Sequence, residues 1–167
     1  IRAFQLTGGV PVTFNDLTLT NATGPVAANG GAIYSNSTGT ITVNHGIFTN
    51  NVAPSGTGGG IYNLNGTLIV SNSTFSSNSA DQGGAIYLYS GSLTITNSTF
   101  TSNTAYKTSR GGGAILVNSG NVTISGSTFT NNQANAHAGA LLINSGATGT
   151  INTSTFVSNS ASYTYNN

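Results

Sequence analysis

The sequence predicts an all-β chain wound into a parallel β-helix, a β-solenoid of about six coils, and three observations carry that prediction. A glycine-led phrase recurs five times: GGAIY at 30–34, GGGIY at 58–62, GGAIY at 83–87, GGAIL at 112–116 and AGALL at 138–142. Each is answered downstream by FTNN, FSSN, FTSN, FTNN or FVSN, beginning at Phe48, Phe75, Phe100, Phe129 and Phe156, with Phe-to-Phe spacings of 27, 25, 29 and 27. Between phrase and answer lies a period-two run, Ile41/Val43, Leu68/Val70, Leu93/Ile95 or Val122/Ile124, the pattern of a half-buried strand. A repeat of that length, made of short strands and Gly, Asn and Ser turns, buries its apolar face only by stacking on its neighbours.

The elements follow in order. Residues 1–29 form a degenerate first coil, in which VTFNDLTLTN (12–21) aligns with ITVNHGIFTN (41–50). That alignment puts Leu19 in the Phe position and Phe14 in the aliphatic one, and Arg2–Leu6 replaces the GGAIY strand. Residues 30–161 hold five full coils of three short strands each: the Gly-led strand, the alternating strand and the Phe strand. Residues 162–167 read as a terminal strand or seam. No linker divides the chain, so 1–167 is one domain. Unequal coil lengths place bulges at 22–29, 52–58 and 105–111.

Stacking sets equivalent residues about 4.8 Å apart. Phe48, Phe75, Phe100, Phe129 and Phe156 become an internal aromatic column, and Val43, Val70, Ile95, Ile124 and Ile151 an aliphatic one. Asn51, Asn78, Asn103, Asn132 and Asn159, each three after a Phe, align as an amide ladder. Stacked Asn amides can hydrogen-bond from coil to coil, and Asn tolerates a left-handed turn. These conspicuous residues are therefore expected to be structural.

Composition narrows the function classes. Only 3% of residues are charged, with a net charge of +1, against 37% apolar, whereas an ordinary domain carries about 25% charged residues. The deficit suits a static extracellular surface solvated by Thr, Ser and Asn, and it excludes the basic footprint of a nucleic-acid binder. No Cys is present, which removes disulfide scaffolds and thiolate metal sites. No apolar run approaches the roughly 18 residues of a membrane helix. Ile1 reads as a processed end or a cut boundary.

The paired GGA[I/L] and FxxN motifs resemble the repeats of chlamydial-type polymorphic outer-membrane proteins and related right-handed β-helix surface proteins of bacteria and archaea. The resemblance covers 30–161 well and 1–29 loosely, and its specificity lies in the fivefold pairing. It implies a right-handed, single-stranded parallel β-helix with an extracellular, non-enzymatic role as an adhesin or other surface protein. The wider pectate-lyase-like fold also hosts polysaccharide lyases and hydrolases, but fold alone does not transfer chemistry.

Residues able to do chemistry are scarce. Glycoside hydrolysis needs two carboxylates facing one bond, and the chain has two in all, Asp16 and Asp81, in different coils. Two acids are too few for a calcium site, and neither a metal nor a cofactor is expected. His45 and His137 fall in turns without a visible triad and read as solvated turn residues. Lys107 and Arg110 make a small basic loop that reads as a solvated bulge, with contact to an anionic glycan or a neighbouring subunit as the alternative. Seven N-x-S/T sequons, at Asn21, Asn36, Asn65, Asn72, Asn97, Asn121 and Asn152, are candidate glycosylation sites.

Two surfaces remain. The ends of a β-helix expose unpaired strand edges, which proteins normally block, yet neither a capping helix nor a charged edge is visible. Ile1 occupies the place of Gly30, and the chain closes on Ser162-Tyr163-Thr164-Tyr165, an alternating strand. The reading is a head-to-tail filament of copies of this chain, since a heterologous contact that does not close makes a fibre. Its interface would comprise Ile1, Arg2, Phe4, Leu6, Phe156, Tyr163 and Tyr165. A segment of a larger cell-surface adhesin, with glycans or a neighbouring cell as partner, is the alternative. The second surface is the outward rank Thr13, Thr42, Ile69, Thr94, Thr123 and Thr150, a Thr-rich grid resembling β-solenoid ice-binding surfaces.

Overall fold

The computed structural model of the chain describes residues 1–162. Every strand pairs in parallel with its counterpart one coil away. The Gly-led strands (Phe4–Gly8, Ile33–Ser37, Ile61–Asn63, Ile86–Leu88, Ile115–Val117, Leu141–Ile143) form one six-stranded sheet, the Gly sheet. The alternating strands (Val12–Asn15, Thr40–Asn44, Thr67–Ser71, Ser92–Thr96, Gly120–Ser125, Ala147–Asn152) form the Thr sheet. The Phe sheet contains Thr18–Thr20, Ile47–Thr49, Thr74–Ser76, Thr99–Thr101, Thr128–Thr130 and Thr155–Val157. The degenerate coil takes the register expected of it: Phe4 opposes Ile33, Phe14 opposes Val43 and Leu19 opposes Phe48.

A fourth sheet corrects the expectation of three strands per coil. It comprises Val52–Thr57, Ser79–Gln82, Thr104–Ala105, Gln133–Ala134 and Ser160–Ala161. Each full interior strand buries one alanine, Ala53, Ala80, Ala105 or Ala134, and a single small apolar residue leaves no period to detect. The expected bulge at 52–58 is thus mostly strand, its extra residues absorbed by a register shift between Ala80 and Gln82. Tyr106–Arg110 does leave the scaffold as an exposed loop.

The Gly-Gly pairs have separate duties. Gly83 takes a left-handed φ of +59, and a Cβ on Gly84 would run into the backbone carbonyls of Gly113 and Thr104. The first glycine supplies the turn and the second the close approach between coils.

Inside, the Phe rings stack at 4.5–4.9 Å with planes within 6° of parallel. The Asn ladder runs beside them. Asn51, Asn78, Asn103 and Asn132 each donate through Nδ2 to the Oδ1 of the next Asn at 2.8–3.0 Å. The same Nδ2 also reaches a backbone carbonyl one coil back, as Asn103 does to Phe75 at 3.0 Å. The left-handed residue is the one before each ladder Asn, at Asn50, Ser77, Ser102, Asn131 and Ser158. The ladder positions are therefore chosen for their buried amides and not for turn tolerance.

A second ladder was not expected. Ser73, Ser98, Ser127 and Ser154 point inward two residues before each Phe, and each hydroxyl accepts the N–H one coil back at 2.9–3.1 Å. The two ladders clamp the last four Phe strands from both sides.

One interior residue breaks the pattern. Asn63 is fully buried between Ser35 and Leu88, and its amide finds no partner among the described residues. A buried polar group left unpaired costs about 1–3 kcal/mol. Asn63→Leu, which matches Leu88 below, is expected to raise stability by about that amount in urea denaturation. A loss of stability would show that the amide is satisfied.

Candidate functional site

The residues that could carry catalysis lie apart. Asp16 sits in the exposed turn between the Thr and Phe strands of coil one, and Asp81 lies in Ser79–Gln82 of coil three. Asp16 does meet His45, stacked one coil below, with Nδ1 to Oδ1 at 3.8 Å. Both occupy left-handed turn positions at φ 53 and 52 and both are exposed. The pair is set by turn stacking and has no third member. No group of three or more His, Asp or Glu side chains converges among the described residues. His137 occupies an exposed left-handed turn at φ 65.

Arg110 of the basic loop acts electrostatically on Tyr87, a member of an aromatic ridge that the sequence reading passed over. Tyr34, Tyr62 and Tyr87 stack on the outer face of the Gly sheet at 5.4 and 5.5 Å. Together with Leu116 they form a satellite apolar cluster outside the main core. The signal was the Tyr of each GGAIY, which points outward because the Ile before it points in. Arg2 caps this ridge, its guanidinium 5.1 Å from the Tyr34 ring centroid and its Nε donating to the Gly30 carbonyl at 2.9 Å.

Burial, then the neighbouring phenols of Tyr87 and Tyr34, push the Tyr62 hydroxyl up to about 12. Burial also raises Tyr87, offset in part by Arg110. A phenol with a raised pKa in the fold stabilises it fully below the unfolded value of 10, and that contribution disappears as pH climbs through 12. Melting temperature is expected to fall between pH 10 and 12, and Tyr62→Phe to blunt that fall. An identical fall in the variant would refute the assignment.

Six of the seven sequon asparagines are exposed; Asn65 is half-buried and its Oδ1 accepts from Ser90 at 2.8 Å. The two at Asn72 and Asn97 have a structural origin. The Asn takes the left-handed turn (φ 50 and 49), the Ser enters the inward ladder, and the Thr opens the Phe strand. Three separate conformational demands spell the sequon.

At the ends, core columns meet solvent. On the lower side Ile151 and Phe156 are 43% and 41% exposed, whereas Ile124 and Phe129 one coil above are fully buried. On the upper side Phe4, Leu6, Phe14 and Leu19 pack on the core but stay half-exposed. Ile1 is fully exposed. Arg2 is tied down to coil two. Tyr163 and Tyr165 lie outside the described residues.

The Thr face has the register expected: Thr13, Thr42, Ile69, Thr94, Thr123 and Thr150 align in one outward rank. No helix of the described residues is long and apolar enough to cross a membrane. No curated protein and no solved structure matched the chain. A family profile described as the right handed beta helix region matches residues 3–167. With its parallel sheets stacked coil on coil from Phe4 to Ala161, the chain belongs to the right-handed β-helix family.

Proposed function

We propose that this chain is a non-catalytic, extracellular structural protein whose β-helix stacks end to end on further copies of itself. The observation that carries the reading is the pair of apolar ends. A copy placed below in the same register would set Leu19 under Phe156, Phe14 under Ile151, Phe4 under Leu141 and Leu6 under Ile143, continuing four inward columns. Near-zero charge removes repulsion between copies. The GGA[I/L] and FxxN pairing keeps chlamydial-type surface proteins as the model for location, and such a rod would serve as a fibre, sheath or adhesive stalk. The scattered carboxylates support a role without catalysis.

The junction would have one weak rung. Ala22 occupies the Asn51 position in coil one and donates its N–H to Asn51 Oδ1 at 2.9 Å, but offers no amide of its own. Asn159 would therefore meet no Oδ1 across the seam.

Electron microscopy of the purified chain at neutral pH tests the reading. Fibres with an axial repeat of about 29 Å, six coils of about 4.8 Å, are expected. Phe4→Asp should abolish them, and Ala22→Asn, which completes the rung, should raise their yield. Short monodisperse rods at every concentration would refute stacking and point to other coils or partners as the cover.

A further inference from the structure

The six strands of the Phe sheet share one form: outward, inward, outward. Their outward first and third residues make two parallel ranks running the length of the solenoid, and every member is Thr or Ser except Ile47 and Val157. We propose that this face binds ice, through a two-rank array of threonine hydroxyls and methyls.

Three features of the face support this. The first is spacing. The Phe rings beneath repeat every 4.5–4.9 Å, and the pairing runs without a register shift from Leu19 through Phe156. Along each strand the two hydroxyls stand about 6.6 Å apart, two residues of rise. The oxygen lattice on the prism faces of hexagonal ice repeats along one direction at an interval close to the first of these distances. Waters held in the trough between the ranks would thus occupy lattice-like sites, with the methyls covering them on either side.

Rigidity is the second. An array that templates a lattice must not fluctuate, and here the four strands from Thr74–Ser76 to Thr155–Val157 are flanked by the Ser ladder on one side and the Asn ladder on the other. Stacked rings hold it flat from below.

The third is hydration. None of the five charged residues lies in these strands, the nearest being Asp16 in the turn before Thr18, so no ion sits within the array. Val157 keeps the shape of Thr, and Ile47 supplies a methyl where the hydroxyl is missing.

The Thr sheet is the poorer surface, contrary to the sequence reading. Ile69 interrupts its central rank, and its flanking side chains turn to each other: Ser71 donates to Asn44 at 3.0 Å and Thr148 to Asn121 at 2.7 Å. In the Phe sheet one such pair, Thr49 with Ser76 at 3.0 Å, is found among the described residues.

Thermal hysteresis and ice recrystallisation inhibition test this independently of stacking, since a single rod carries the face. The wild-type chain should shape ice crystals and open a freezing gap. Thr101→Lys and Thr130→Lys should lose most of both activities with unchanged melting temperature, while Thr94→Lys on the Thr sheet should retain them. No freezing gap in the wild-type chain would overturn the proposal. So would full activity in the Phe-sheet variants, or equal loss in Thr94→Lys.

Discussion

Asn103→Leu is expected to destabilise the chain by about 4 kcal/mol, because it strands two buried donors of Asn78 and a buried carbonyl. The Asn103 Oδ1 accepts both the backbone N–H and the Nδ2 of Asn78 at 3.0 Å. Its own Nδ2 donates to the Phe75 carbonyl and to Asn132 Oδ1 at 3.0 and 2.9 Å. Leucine fills the volume but pairs with none of these groups, and each of the two orphaned Asn78 donors costs about 1–3 kcal/mol. The carbonyl of Phe75 adds to the deficit. Chemical denaturation of the two proteins measures the difference. A cost below about 1 kcal/mol, the net worth of one ordinary hydrogen bond, would mean that the ladder is incidental to stability.

Phe100→Ala is the second large effect, at about 3–5 kcal/mol for a buried aromatic ring. Phe100 is fully buried, with rings at 4.9 and 4.8 Å on its two sides. Neighbouring coils cannot collapse into the gap, because the Ser and Asn ladders hold their separation. The cavity therefore persists and the cost falls at the upper end of the range. Phe156→Ala provides the contrast, since that ring is 41% exposed and, among the described residues, stacks on one face, against Phe129. It should cost markedly less in the isolated rod. Equal losses at the two positions would contradict a stack whose strength comes from enclosure.

Residues that a β-helix needs once per coil were legible in the sequence. Phe48 to Phe156, Asn51 to Asn159 and the Gly-Gly pairs each satisfy one requirement at one place in the cross-section, and stacking repeats that requirement every coil. Even the divergent first coil could be aligned, since Phe14 and Leu19 keep the inward pattern while changing residue type. The fourth sheet escaped notice because strands such as Thr104–Ala105 carry a single inward alanine. The Ser ladder escaped because an inward Ser beside a polar turn resembles the turn itself.

The candidate surfaces were read less well. The meeting of Asp16 with His45 depends on which two coils are adjacent, not on anything near either residue in the chain. The aromatic ridge of Tyr34, Tyr62 and Tyr87 arises from a side-chain direction that strand alternation predicts only once the Ile before each Tyr is known to face inward. Likewise, the threonine array looked strongest in the five-residue Thr strands, where the alternation is longest. The three-residue Phe strands proved the more regular, because their register is held by ladders that become visible only in three dimensions.

By itself the sequence determined the class of fold, the number of coils, the columns and the scarcity of ionisable chemistry, because each follows from composition or from a period. Tertiary structure alone decided which polar groups pair inside, that Asn63 has no partner among the described residues, how exposed the core columns are in the first and last coils, and in which sheet the outward side chains pair with each other. Those properties belong to contacts between coils some 27 residues apart, and a one-dimensional pattern records the repeat of such contacts without recording their geometry.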